Sequence, residues 1–491
     1  MSSKVLPVQD LPQGGPEKHT NHFVHPDDLR TAFALDMSRM YRDEVPLYGD
    51  LIRIVQGVND QKFAQSINSN TMDRLDLERH GAIRLGKPTE LRTVSRIFGV
   101  LGMRPVGYYD LSAAGLPMHA TCFRPIAVSS LAKNPFRVFT TLLRPELIRS
   151  KEARDLAERM LSRRTIFSPE LMRMLTTAES QDGLDPQQAG VFIREALKTF
   201  SWAPTAAATA EEYQILKAQH PILADIACFR TAHINHLTPR TLDITLSQEA
   251  MRREGMAVKD RIEGPPARKC PILLRQTSFL ALEEAIKFIS NTRDESMPLI
   301  QGSHKARFGE IEERGAAVTP AGRRLYDELL SRAMENAAEL SPEEVDERMN
   351  SAFGSFPDSW DELRAQGLVY YEYECTGKPI PDDTTTTPRD ADRAAIIQQL
   401  LSEGVLRTKP ITYEDFLPFS AAGIFQSNLG TESDKQPPAD SGLPVLQGSP
   451  AQDRLERALD MCIIDPDHLY ASAQEASLEA CLRRLSAGRR T

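Results

Sequence analysis

The chain has 491 residues, 41% hydrophobic and 26% charged, which is ample for a sizeable core and typical of a globular protein. No apolar run approaches the roughly 18 to 20 residues that span a bilayer, and a formal charge of −9 argues against a broad phosphate-binding surface. Neither a membrane nor a nucleic acid is therefore an expected partner. Six cysteines without CxxC spacing and a leader with no apolar segment for secretion point to reduced thiols, a cytoplasmic location and a small-molecule ligand.

Residues 1–25 read as a flexible leader, in which His19, His22 and His25 suit a solvated tail better than a metal site. From Pro26 the apolar spacing predicts two helices separated by Pro46, with a further helical stretch from Thr71 to Leu77. In RLDLERHGAIRLGKPTEL, His80, Ala82 and Arg84 fall on one face of a strand that ends at Gly86 and Pro88. His80 and Arg84 lie roughly 13 Å apart at ~3.3 Å per residue, so a metal ligand and a carboxylate clamp would enter one cavity. Taken singly, His80 suits an ordinary strand-start histidine and Arg84 a surface ion pair. A helix is expected from Leu91 to Met103 and a strand at Pro105–Leu111. His119, in PMHATCFRP, suits an internally hydrogen-bonded histidine better than a site residue. The region 145–219 carries few strand signals and reads as a helical insertion punctuated by Pro169 and Pro186.

TAHINHLTPRTLD places His233 and His236 three residues apart in a run with strand-like flanks that loosens at Pro239. The pair is a candidate metal site. Two imidazoles are too few, however, and in a regular strand they face opposite sides, so one is structural and another ligand must come from elsewhere. HGAIRLGKPTEL and HINHLTPRTLDI are faintly alike, which suggests duplicated βαβββ halves and would make His233 the counterpart of His80. Pro271–Gln276 is strand-like, with Arg275 and Gln276 able to face an anion; Ser278–Ile289 predicts a helix with Glu283 and Glu284 in solvent. In ARFGEIEERG, Glu310 and Glu312 share a strand face. Either completes a metal site while the other orients a histidine, unless the strand is an exposed edge. Helices are expected at 325–340 and 342–349, a mobile polar loop at 376–394, and an apolar glycine-containing segment at 410–430 that suits close ligand approach. The expected organisation is the leader, a single catalytic domain over 26–430, and a polar linker with a C-terminal helical segment over 431–491, broken near Pro466.

With His80, Arg84, HINHLTPRTLD, ARFGEIEERG, ITYEDFLPFSAAGIFQSNLG, GYYDLSAAG and NPFRVFTTLLR assembled, the chain resembles the 2-oxoadipate dioxygenase/decarboxylase family from about Pro26 to Gly430. The resemblance implies an α+β fold with a vicinal-oxygen-chelate-like β core. It implies Fe(II) held by His80, His236 and Glu312, and substrate bound at His80, Arg84, His236, Phe419 and Ser420. Arg84 and Glu310 are then the catalytic residues beyond the metal, with Gln426 lining the pocket. Phe419 departs from the small aliphatic residue of the family pattern and adds bulk beside the oxo acid.

The reaction so implied takes 2-oxoadipate and dioxygen to 2-hydroxyglutarate and carbon dioxide, in lysine breakdown. Two histidines and one carboxylate leave three positions on an octahedral ion for a chelating oxo acid and dioxygen. The oxo acid supplies its own electrons, in keeping with the lack of GxGxxG or GxxxxGK[ST] motifs. From the residues alone, a Lewis-acid isomerase or hydrolase and a non-catalytic 2-oxo acid binding protein stay open.

Overall fold

The computed structural model describes residues 23–64, 72–290, 298–337, 340–379, 393–417 and 449–488. They form a mixed α+β protein of two compact units. One comprises residues up to 263, 275–313 and 416–463; the other comprises 264–274, 314–415 and 464 onward. The boundary expected at 430/431 lies outside the described residues, as does most of the 376–394 loop.

The first unit is built on a five-stranded sheet. Its strands are β1 (Arg79–Leu85), β2 (Arg104–Asp110), β3 (Met118–Arg124), β4 (Arg137–Leu143) and β5 (His236–Pro239), in spatial order β2-β3-β4-β1-β5. β1 runs parallel to β4 and antiparallel to β5, so it is central and buried along its whole length. A central strand packs on both faces: Ile83 and Leu85 enter one apolar cluster and Ala82 the other. Gly81 lets β5 and its lead-in come close, since a Cβ there would meet Ile234 Cδ1 at 2.4 Å and the His236 carbonyl oxygen at 3.3 Å.

Helices Pro26–Glu44 and Pro46–Ala64 meet at Val45–Pro46, as the proline predicts, and Phe33, Tyr41, Tyr48 and Leu51 are buried from them. The expected helix after β1 spans Pro88–Val100. Residues 151–219 carry the helices Lys151–Arg163, Pro169–Gln181, Pro186–Phe200 and Ala210–Gln219, opened by Ser150, Ser168, Asp185 and Thr209 caps. Arg164 docks it through a 2.5 Å contact to the buried Glu90.

Two expectations are corrected here. The segment upstream of His233 is a helix, Pro221–Cys228, rather than strand-like. Ser278–Ile289 is not helical: its centre is β7 (Glu283–Phe288), paired antiparallel with β8 (Ile300–Lys305). The Ala, Leu and Glu content favours helix locally, but alternate burial of Ile286 and Phe288 against the core favours the strand, and tertiary pairing prevails. Glu284 is not a solvent residue either, because its Oε2 accepts from Arg307 Nε at 2.9 Å. β6 (Leu274–Ser278) lies beside β9 (Glu310–Arg314).

In the second unit, helices Pro320–Met334 and Pro342–Phe353 pack together. β10 (Tyr371–Cys375) pairs antiparallel with β11 (Leu406–Pro410), and the helix Pro466–Gly488 lies against β10. No helix of the described residues is long and apolar enough to cross a membrane.

Candidate metal centre

Three strands of the first unit bring His80 of β1, His236 of β5, and Glu310 and Glu312 of β9 together, each with no exposed surface. The register sets this up: His80 pairs with Thr238 and Ala82 with His236 across β1 and β5. Arg240 bridges to Glu312 in parallel, which carries β9 alongside the end of β5. Glu310 and Glu312, two apart, both face inward, and the exposed-edge alternative is not found.

Glu310 Oε1 is 3.0 Å from His80 Nε2 and 3.8 Å from His236 Nε2, and these three side chains form a group able to hold a metal ion. The same oxygen accepts from Gln276 Nε2 at 2.9 Å and Thr238 Oγ1 at 3.0 Å. Glu312 stands on the other side of the His80 ring, with Oε2 3.0 Å from Nδ1. Behind it Arg137 is 3.9 Å from Glu312 and donates to the buried Glu78 at 2.9 Å. Phe416 meets the His80 ring edge-on at 4.9 Å, and Phe308 lies 4.8 Å from the His236 ring, giving apolar walls.

The site has the character of a cation pocket. Both ring nitrogens of His236 and Oε2 of Glu310 are buried without a hydrogen-bond partner among the described residues, a costly state unless something else meets them. Burial drives the His236 pKa down to about 3, with His80 and Arg84 adding to the effect, so the imidazole is neutral as a metal ligand must be. Burial also opposes charge on His80, yet Glu312 and Glu310 outweigh it and raise that pKa. Burial would raise Glu310, but His236 and His80 hold it below the ordinary carboxylate range. Two neutral-capable imidazoles and a carboxylate are the donor set of divalent transition metals.

A family model for 2-oxoadipate dioxygenase/decarboxylase matches residues 33–428. The chain belongs to the 2-oxoadipate dioxygenase/decarboxylase family. A relative of that name from Pseudomonas putida is 45% identical over 481 residues, 95% of this chain and 99% of its own. One from Escherichia coli is 44% identical over 462 residues, 93% of this chain and 98% of its own. The crystal structure of the hydroxyglutarate synthase in complex with 2-oxoadipate from Pseudomonas putida is similar with a TM-score of 0.82 and 42% identity, covering 95% of this chain and all of that one.

Other residues singled out in the sequence fall as follows. Arg84 is buried on the His80 face of β1, with NH1 2.6 Å from Asp225 Oδ2. His233 stands apart from the metal group, 3.1 Å from Asp225 Oδ1 and joined there by His304. Gln276 serves Glu310, and Arg275 is 3.8 Å from Glu313. His119 is buried in β3, its Nδ1 3.5 Å from the Tyr108 hydroxyl, outside the metal group. His25 caps the first helix, accepting from the Asp27 amide. Phe419, Ser420, Gln426, His19 and His22 lie outside the described residues. Sequence reasoning missed Asp225, His304, Arg137 and Glu78. Asp225 alone carried a signal, as the single acid in the otherwise apolar PILADIAC.

Proposed function

We propose that the protein is a 2-oxoadipate dioxygenase/decarboxylase that uses Fe(II), with His80, His236 and Glu310 as the metal ligands. The observation that carries the ligand set is the convergence of His236 and Glu310, with their unpartnered buried donor atoms, on His80. The family resemblance implies Glu312 as the carboxylate ligand; the geometry favours exchanging the two glutamates. Glu310 is on the side of His80 that His236 occupies, whereas Glu312 Oε2 approaches Nδ1 at 3.0 Å without hydrogen-bond geometry, on the side from which a carboxylate would orient a ligating imidazole. Arg137 places its positive charge 3.9 Å from Glu312.

Two histidines and one carboxylate would hold non-haem Fe(II), with room left beside them for a 2-oxo acid and dioxygen. Bound there, the metal would supply the activation of dioxygen, both of whose atoms enter the product, one in the new carboxylate and one in the hydroxyl, as the original carboxylate leaves as carbon dioxide. The overall change balances: 2-oxoadipate and dioxygen become 2-hydroxyglutarate and carbon dioxide. Arg84 offers a guanidinium for a substrate carboxylate, a planar fork that lysine lacks. Phe416 and Phe308 exclude water, which strengthens these polar contacts. Phe419 and Ser420 complete the substrate contacts in this reading. The βαβββ order of β1, the helix Pro88–Val100 and β2 to β4, with β4 returning beside β1, supports the vicinal-oxygen-chelate-like description of the core.

The test is dioxygen uptake by anaerobically purified, Fe(II)-loaded protein on adding 2-oxoadipate, with products identified by mass and His236→Ala as control. The expected result is uptake matched by carbon dioxide and 2-hydroxyglutarate, lost in the variant. Metal-dependent conversion of the oxo acid without uptake would refute the oxygenase in favour of Lewis-acid chemistry.

A further inference from the structure

Beyond the metal ligands on the same face of β1 lies a second buried polar group, centred on Asp225 of the helix Pro221–Cys228. Asp225 Oδ2 is 2.6 Å from Arg84 NH1 and 3.4 Å from Asn235 Nδ2. Its Oδ1 is 2.9 Å from His304 Nε2 and 3.1 Å from His233 Nε2. The Tyr213 hydroxyl sits 2.8 Å from His304 Nδ1. Asp225 can only accept, so His304 Nε2 carries the proton, and in the neutral ring Nδ1 accepts from the Tyr213 hydroxyl. Trp202 stacks on His304 at 6.0 Å and meets His233 edge-on at 4.7 Å.

We propose that Asp225, fastened by His304 and Asn235, is a positioning residue that presets the Arg84 guanidinium for the substrate carboxylate. This deepens the reading of the protein as a 2-oxo acid enzyme and rests on it. An arginine stem is long, and ordering it only when substrate arrives would weaken binding; a carboxylate that holds it beforehand removes that cost. A carboxylate free to swing would not serve, which gives His304 and Tyr213 their role: His304 takes the other oxygen, Tyr213 holds the His304 ring, and His233 packs beside them. Asp225, His233 and His304 also form a group of metal-ligand type. The charges argue against a metal there. Arg84 already balances Asp225, so a dication there would add positive charge that no further carboxylate of the group offsets.

The experiment compares Asp225→Asn and Tyr213→Phe, each alone and combined with Arg84→Lys, in iron-loaded protein. Iron content, anaerobic dissociation constant for 2-oxoadipate, kcat and KM are measured. Asp225→Asn is expected to raise the dissociation constant and KM about 10- to 100-fold, the loss of a charge-assisted hydrogen bond, with iron content unchanged and kcat within a few-fold. Tyr213→Phe, which removes one hydroxyl and leaves the fold's packing intact, moves both the same way by about 2- to 5-fold. In the Arg84→Lys background both effects shrink to nothing, because residues acting through one guanidinium are not additive. Undiminished effects in that background, a fall in kcat at constant KM, or a second equivalent of metal lost on Asp225→Asn would each overturn the proposal. Should Asp225→Asn not fold, Tyr213→Phe carries the same comparison. Wild-type protein that neither binds nor turns over 2-oxoadipate would overturn the functional reading instead.

Discussion

Glutamine at position 310 and glutamine at position 312 separate the two roles proposed for these carboxylates. Glu310 Oε1 is 3.0 Å from His80 Nε2 and 3.8 Å from His236 Nε2, so an ion gathered by the two imidazoles is within a few ångströms of its charge. Two positive charges against one negative at about 4 Å, with an effective dielectric constant of about 20, interact by roughly 8 kcal/mol. Glutamine keeps an oxygen donor, so about half of that, ~4 kcal/mol, is a reasonable net loss, about 1000-fold in metal affinity. Glu312 instead faces Nδ1 at 3.0 Å, behind the ring. Removing a partner of that kind typically lowers metal affinity by about 10- to 100-fold. Anaerobic Fe(II) titration against a chromophoric chelator reads both numbers on one scale. Metal retained by Glu310→Gln but stripped from Glu312→Gln would refute the reasoning and return the ligand role to Glu312; equal losses would refute the separation of roles.

Three further outcomes are expected. Arg84→Lys, which loses the planar fork held by Asp225, should raise KM for 2-oxoadipate about 10- to 100-fold with iron content unchanged; loss of iron instead would contradict a substrate role. Gly81→Ala sets a methyl 2.4 Å from Ile234 Cδ1 and 3.3 Å from the His236 carbonyl oxygen, so the buried Ile234 side chain must turn aside at a cost of about 1–3 kcal/mol and a lower urea midpoint should appear; a midpoint unchanged from wild type counts against this packing. Burial lowers the His119 pKa from 6.5 to about 4, with Arg144 contributing. Between those values the unfolded chain binds a proton that the folded one refuses, so acidification through pH 6.5 towards 4 favours unfolding by up to about 3 kcal/mol. His119→Gln should flatten that part of the stability–pH curve measured by denaturant unfolding at pH 7 and pH 5; an unchanged slope would show that His119 does not titrate as described.

Periodicity and punctuation determined much of the architecture. Pro46 divides two helices, Gly86 and Pro88 end β1, and Pro169 and Pro186 open successive helices, because each restricts its own backbone whatever surrounds it. Strand parity likewise put His80 with Arg84, and Glu310 with Glu312, on shared faces. What parity could not decide is which histidine of the 233/236 pair meets His80, or which glutamate stands on the side of His80 that His236 occupies. Those outcomes depend on the β1–β5 register and on the bridge from Arg240 to Glu312, contacts between residues far apart in the chain. The same holds for β7, whose helix-favouring residues became a strand only because β8 was there to pair with it. Asp225 is the sharpest case. It is the single acid in an apolar segment, but Arg84, His233 and His304 approach it from a strand, an irregular stretch and another strand, so its proposed role exists only once the chain has folded.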